Sequence, residues 1–145
     1  MDNNVYHLFV YGSLRKGFKN QAYAYLNQLF DYVGEGTTPG ALYDNHDYPV
    51  ARPLSPGQNH SIVGELYAIK NPHELNYALM QIDDYEGLFP DEGEAPKYAR
   101  EVTIVDIHNL KIPAYVYWYN GDVSQLSQIE TSDMLVYLQQ RYGFH

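Results

Sequence analysis

The stretch "YVGEGTTPGALY", Tyr32 to Tyr43, carries the reading of the fold. Gly34, Gly36, Pro39 and Gly40 interrupt it at intervals too short for a helix, because each glycine or proline weakens a helix interior. Glycine inside a strand marks a bend or a close approach of two backbones. The stretch is therefore expected to form short bent strands, of the kind that curl a sheet.

The flanking segments extend this picture. Upstream, Val5 to Tyr11 is a nearly continuous apolar run and reads as a buried strand. "NQAYAYLNQLF" then sets Ala22, Tyr25, Leu26, Leu29 and Phe30 at helical spacing, with Asn20 as its cap. Downstream, "YPVARPLSPGQNH" has three prolines and a glycine and reads as a loop, whereas "SIVGELYAI" reads as a strand. Asn71, Pro72 and Glu74 signal a helix start, Leu75, Ala78, Leu79 and Ile82 form its apolar stripe, and Gly87 ends it. "FPDEGEAPK" is a loop. "YAREVTIVDI" and "KIPAYVYWYNG" alternate like paired strands joined at His-Asn-Leu. A last helix is expected from Thr131 or Ser132 to Tyr142, stopped by Gly143.

Strands dominate the middle and do not alternate regularly with helices, which disfavours a doubly wound sheet. The expected fold class is α+β (mixed): a small, curled, mostly antiparallel β-barrel flanked by helices. Residues 1–145 are read as a single domain, since 145 residues is the usual length of one and no linker or repeat divides them.

Composition excludes several classes of function. The net charge is −9, and Arg15, Lys16 and Lys19 make the only basic cluster, too small for a nucleic-acid track. No cysteine is present, which removes disulfides, thiolate metal sites and cysteine nucleophiles. No apolar run approaches the roughly 20 residues of a membrane helix, and "MDNNVYHLFV" has no positive leader. The expectation is a cytoplasmic protein with neither nucleic acid nor membrane as partner. Sixteen tyrosines suit half-buried sheet faces and the walls of a polar, apolar-lined cavity alike.

Two stretches carry chemistry. In "VYGSLRKG", Val10 to Gly17, a buried strand runs into a Gly-Ser turn followed by two cations. Such a turn leaves backbone N–H groups free for an anion. A P-loop does not fit, because Gly17 is followed by Phe18 and not by Lys and a hydroxyl residue. A carboxylate or oxyanion is the better guest, and a plain turn whose Gly12 permits positive φ explains the same residues.

In "IDDYEG", Asp83 and Glu86 stand three apart at a helix C-terminus, where the macrodipole disfavours carboxylates. A solvated acidic helix end accounts for this pattern; so does a buried Glu86 of raised pKa acting as general acid or base. Ser13 lies outside any G-x-S-x-G elbow, and the six histidines show no metal-ligand spacing, so no metal is expected.

Taken together, the motifs resemble those of the gamma-glutamylcyclotransferase-like (AIG2-like) family. "LFVYGSLRKG" is similar to its Y-G-[ST]-L signature, "GALYDNHDYPVARP" to its G-x-L-y-x-x-x-Y-P segment and "IVGELYAI" to its V-x-G-E-L-Y strand. "IDDYEG" resembles its D-x-x-E-G motif, "KYAREVTIV" its Y-x-R strand and "AYVYWYNG" its closing aromatic strand. The resemblance implies a transferase that cyclises a gamma-glutamyl amine or peptide to 5-oxoproline, with no cofactor and a small-molecule gamma-glutamyl substrate as partner. It implies Glu86 as the catalytic acid/base. It also implies a substrate-binding loop of Tyr11, Gly12, Ser13 and Leu14, with Tyr117 lining the same cavity. A non-catalytic binding protein for an anionic gamma-glutamyl-type metabolite and an acyl-transfer relative are the alternatives. The leaving amine depends on rim residues, where "FPDEGEAP" after Glu86 departs from the family pattern.

Overall fold

The computed structural model describes residues 5–12, 21–45, 49–88, 92–134 and 136–137, with the side chains of 21–23 and 25 left aside. In chain order the elements are β1 (His7–Val10), α1 (Gln21–Leu29), β2 (Phe30–Pro39), β3 (Ala41–Asp44), β4 (Pro49–Arg52) and β5 (Ser61–Ile69). A 3₁₀ turn, Pro72–Glu74, leads into α2 (Leu75–Tyr85), followed by β6 (Tyr98–Ile107), β7 (Leu110–Tyr119) and β8 (Ser127–Ile129).

Five strands close a barrel in the order β1-β5-β2-β6-β7. The pairings are antiparallel except for the seam between β1 and β7, which is parallel with Leu8 opposite Tyr115. The mixed, mostly antiparallel barrel with flanking helices is the architecture expected from the sequence. A second, three-stranded sheet of order β4-β3-β8 stands beside it.

Closure depends on strand glycines. A Cβ at Gly36 of β2 would lie 2.8 Å from the Asp106 carbonyl and 2.9 Å from Val105 Cγ1 on β6. At Gly64 of β5 it would lie 2.6 Å from the Val10 carbonyl and 2.5 Å from the Phe9 ring on β1. No real side chain tolerates such contacts, so these positions let β2 and β5 curl tightly onto their neighbours.

Each barrel strand splits its side chains between two cores, as the period of two requires. Phe9, Leu66, Val105, Val116 and Ala114 pack inside the barrel. Leu8, Tyr67, Ile69 and Tyr117 point outward, where Leu26 of α1 and Ala78 and Ile82 of α2 cover them. The predicted stripe on α2 is buried at Ala78, Leu79 and Ile82. The chain beyond β8 is tied to the barrel where the Val63 amide donates to the Ser132 carbonyl at 2.9 Å.

Four expectations need correction. β2 is one ten-residue strand, not a series of short ones, because a register shift between Tyr32 and Gly34 absorbs the bend without breaking the ladder. Phe30 begins β2 and does not end α1. β4 lies within the segment read as a loop: Pro49 occupies its first position, where no ladder hydrogen bond is lost, and β3 pairs along its length. Gly12 does not take positive φ, and a Cβ there would make only an ordinary 3.9 Å contact with Met134 Sδ.

The predicted Asn20 cap lies outside the described residues. So does most of the final helix, of which Met134, Val136 and Tyr137 are helical. No helix among the described residues is long and apolar enough to cross a membrane.

Candidate functional site

Glu86 follows the last residue of α2 and is placed by a well-formed helix stop. Its backbone keeps helical angles, and Gly87 then turns left-handed at φ +79°. The Gly87 amide donates to the Asp84 carbonyl at 3.1 Å and the Leu88 amide to the Asp83 carbonyl at 3.0 Å. These two bonds define a Schellman motif, and Leu88 folds back onto the apolar cluster that contains Ile82. The motif explains why "EG" sits at this position: glycine takes the left-handed backbone that reverses the chain directly after Glu86.

The three acidic residues of "IDDYEG" have different surroundings. Asp84 is exposed. Asp83 is buried, and its carboxylate accepts from Arg100 Nη1 at 3.1 and 2.9 Å and from the Tyr117 hydroxyl at 2.5 Å. Glu86 is largely covered, and burial pushes its carboxyl up from its ordinary 4.5 to about 7. A carboxyl in that range exchanges a proton near neutrality, which a general acid/base requires.

Tyr11 follows β1 and lies against the neighbouring strand β7. Its ring stacks on Trp118, with centroids 6.1 Å apart, and its hydroxyl donates to the Tyr117 carbonyl. Burial holds its proton well above the usual tyrosine range, and the charges of Tyr98 and Glu86 add to the effect. Tyr11, Tyr98 and Glu86 therefore share one electrostatic environment.

Tyr117 sits at the centre of the wall. It faces Arg100 across the β6–β7 ladder. Its phenol is buried, and burial, then its bond to Asp83, keep it protonated as a neutral donor, with Arg100 acting the other way. Around it, the Arg100 guanidinium lies 5.2 Å over the Tyr115 ring, and Tyr98 meets Tyr119 edge to face at 5.9 Å.

The structure thus brings Glu86, Tyr11 and Tyr117 of the predicted set into one region, with Gly12 directly after Tyr11. Ser13 and Leu14 lie outside the described residues. Sequence reasoning assigned no role to Tyr98, Asp83 or Arg100. The usable signal was the spacing "YAR": Tyr98 and Arg100, two apart on a strand, necessarily share a face. Among the described residues no group of three His, Cys, Asp or Glu is arranged to hold a metal ion.

No curated protein matches the sequence. Among solved structures, an AIG2-like protein from Mus musculus is 25% identical, with 90% of each chain covered and a TM-score of 0.65. The protein ytfP from Escherichia coli is 26% identical over 89% of this chain and 96% of its own, with a TM-score of 0.57. YkqA from Bacillus subtilis, 19% identical with a TM-score of 0.69, shares the fold over 95% of this chain, which spans only 42% of YkqA's length. The model of one family, "Gamma-glutamyl cyclotransferase, AIG2-like", matches residues 8–136, and the chain belongs to that family.

Proposed function

We propose that the protein cyclises a gamma-glutamyl amine or peptide to 5-oxoproline and releases the free amine, with Glu86 as general acid and base. The observation that carries this reading is the juxtaposition of a covered Glu86, with its carboxyl at about 7, and Tyr11 of the Y-G-S-L stretch. Family membership supports it independently.

A gamma-glutamyl amide carries its own nucleophile, the alpha-amino group. Glu86 takes a proton from the alpha-ammonium, and the freed amine attacks the gamma-carbonyl to close a five-membered ring. The tetrahedral oxyanion collapses, the bond to the departing nitrogen breaks, and Glu86 returns the proton there. Overall, two protons leave the alpha-ammonium and two arrive on the released ammonium, so one carboxylate carries both in turn. Such transfer contributes roughly 10²–10⁴-fold, and holding amine against carbonyl adds a proximity gain. In this reading Tyr11, Gly12, Ser13 and Leu14 grip the substrate's alpha-carboxylate or the developing oxyanion, and Tyr117 backs that wall.

The test is 5-oxoproline release from a panel of gamma-glutamyl amines, with wild type beside Glu86→Gln. Wild-type turnover that falls by about 10²-fold or more in the folded variant is the expected result. Turnover that survives the substitution sinks Glu86 as the acid/base. Reappearance of the glutamyl group on an acceptor amine would identify acyl transfer instead.

A further inference from the structure

We propose that Asp83 and Arg100 are positioning residues, which lock the helix carrying Glu86 to the Tyr11 side of the site through Tyr117. The inference builds on the reading of Glu86 above and assigns work to a partly buried ion pair that proton transfer does not itself use.

Three elements meet at Asp83. Its carboxylate takes two contacts from Arg100 Nη1 on β6 and one from the Tyr117 hydroxyl on β7. The Tyr117 carbonyl in turn accepts the Tyr11 hydroxyl. The main-chain carbonyl of Asp83 meanwhile accepts the Leu88 amide that closes the helix stop around Glu86. One residue therefore grips the barrel with its side chain and the Glu86 turn with its backbone.

Helix geometry explains why this grip controls Glu86. Three residues turn an α-helix by about 300°, so Asp83 and Glu86 project within about 60° of one another. Apolar packing of Ala78, Leu79 and Ile82 buries the helix but tolerates small rolls about its axis. Directional bonds to a buried carboxylate do not, because rolling the helix would strand a charge in a low-dielectric layer. The Arg100 guanidinium is itself held in place over Tyr115. Stability alone would be served as well by apolar residues of the same volume. What the ion pair adds is a unique roll angle, and with it one aim for the Glu86 carboxylate.

The experiment compares wild type, Tyr117→Phe, Asp83→Asn and Arg100→Met for kcat and KM on those gamma-glutamyl amines that wild type turns over. Amide hydrogen exchange at Tyr11, Gly12 and Glu86 to Leu88 is measured alongside, without substrate. Tyr117→Phe keeps the Asp83–Arg100 pair and the ring packing, so it reports even where a charge variant fails to fold. The expected result is kcat reduced by about 10- to 100-fold with KM within about threefold of wild type, as small misplacements of catalytic groups produce. Exchange should rise at both ends of the chain of bonds, at Tyr11 and at Gly87. A folded Tyr117→Phe protein with unchanged kcat and unchanged exchange overturns the proposal. So does exchange that rises at one end only. Absence of wild-type turnover would strike the proposed reaction, while the exchange measurement would still decide the positioning role.

Discussion

Tyr11 donates its phenolic hydrogen to the main-chain carbonyl of Tyr117, across 106 residues of sequence and between the two strands of the parallel seam. Both partners are buried, so the carbonyl has no water to turn to if the hydroxyl is removed. Tyr11→Phe should lower stability by about 1–3 kcal/mol, the cost of an unsatisfied buried acceptor. Urea denaturation checks this, and a change under 0.5 kcal/mol would mean that the carbonyl finds another donor.

Glu86 makes stability depend on pH in a direction opposite to most carboxylates. Its folded pKa, about 7, lies above its ordinary 4.5, so the folded state holds the proton more tightly than the unfolded chain. Its contribution is complete below pH 4.5 and is lost as pH rises through 7, by at most about 3 kcal/mol. Glu86→Gln removes that loss. The variant should melt higher than wild type at pH 8 and match it at pH 4, while losing activity. Equal melting temperatures at pH 8 would place the carboxyl near 4.5.

The same ionisation should appear in catalysis. A base at about 7 leaves kcat/KM falling tenfold per pH unit below that value, as the Glu86 carboxylate takes up its proton. A profile flat from pH 8 down to pH 5 would exclude Glu86 as the base in the free enzyme.

Gly87→Ala isolates the helix stop. A Cβ at this position meets nothing within 4 Å, so its cost is purely the left-handed backbone at φ +79°. That cost is about 1–2 kcal/mol. Activity should fall further than stability accounts for, since Glu86 is the preceding residue. Unchanged kcat in the alanine variant would show that the turn does not orient Glu86.

Gly64→Ala tests barrel closure. The added methyl would press 2.6 Å from the Val10 carbonyl and 2.5 Å from the Phe9 ring. Overpacking typically costs about 1–3 kcal/mol, and here backbone must move as well as side chain. Thermal denaturation should place this variant well below Gly12→Ala, where the backbone is not left-handed and a Cβ makes only an ordinary 3.9 Å contact with Met134 Sδ.

Legibility in the sequence followed how local each signal was. β5 could be read with its observed bounds because Ser61–Ile69 is apolar on both faces and flanked by turn residues. α2 was legible from its stripe and Gly87, and the β6–β7 hairpin from alternation around His108 and Asn109, which both take positive φ. β8, the three residues "SQI", carries no periodicity of its own and exists because β3 offers Leu42 to Ile129. β4 was hidden behind its prolines for the same reason. At the site, Glu86 and Tyr11 stood out as motif residues. Asp83 and Tyr117 were singled out as well, but their joining with Arg100 was not legible, because it depends on how the face of a helix meets the register of two strands, which no window of sequence contains.

The parallel seam between β1 and β7 also sets an order of events. β5, β2, β6 and β7 pair with partners nearer in sequence or join by short turns, whereas β1 must find a strand that is synthesised roughly a hundred residues later. Closing so long a loop is entropically slow, and contacts of that span dominate folding barriers. The bond from the Tyr11 hydroxyl to the Tyr117 carbonyl therefore forms only when the last edge of the barrel zips shut. A chain still emerging from the ribosome, or one clipped before β7, would lack the Tyr117 hydroxyl and carbonyl that join Asp83 to Tyr11, so that link arrives only with completion of the fold.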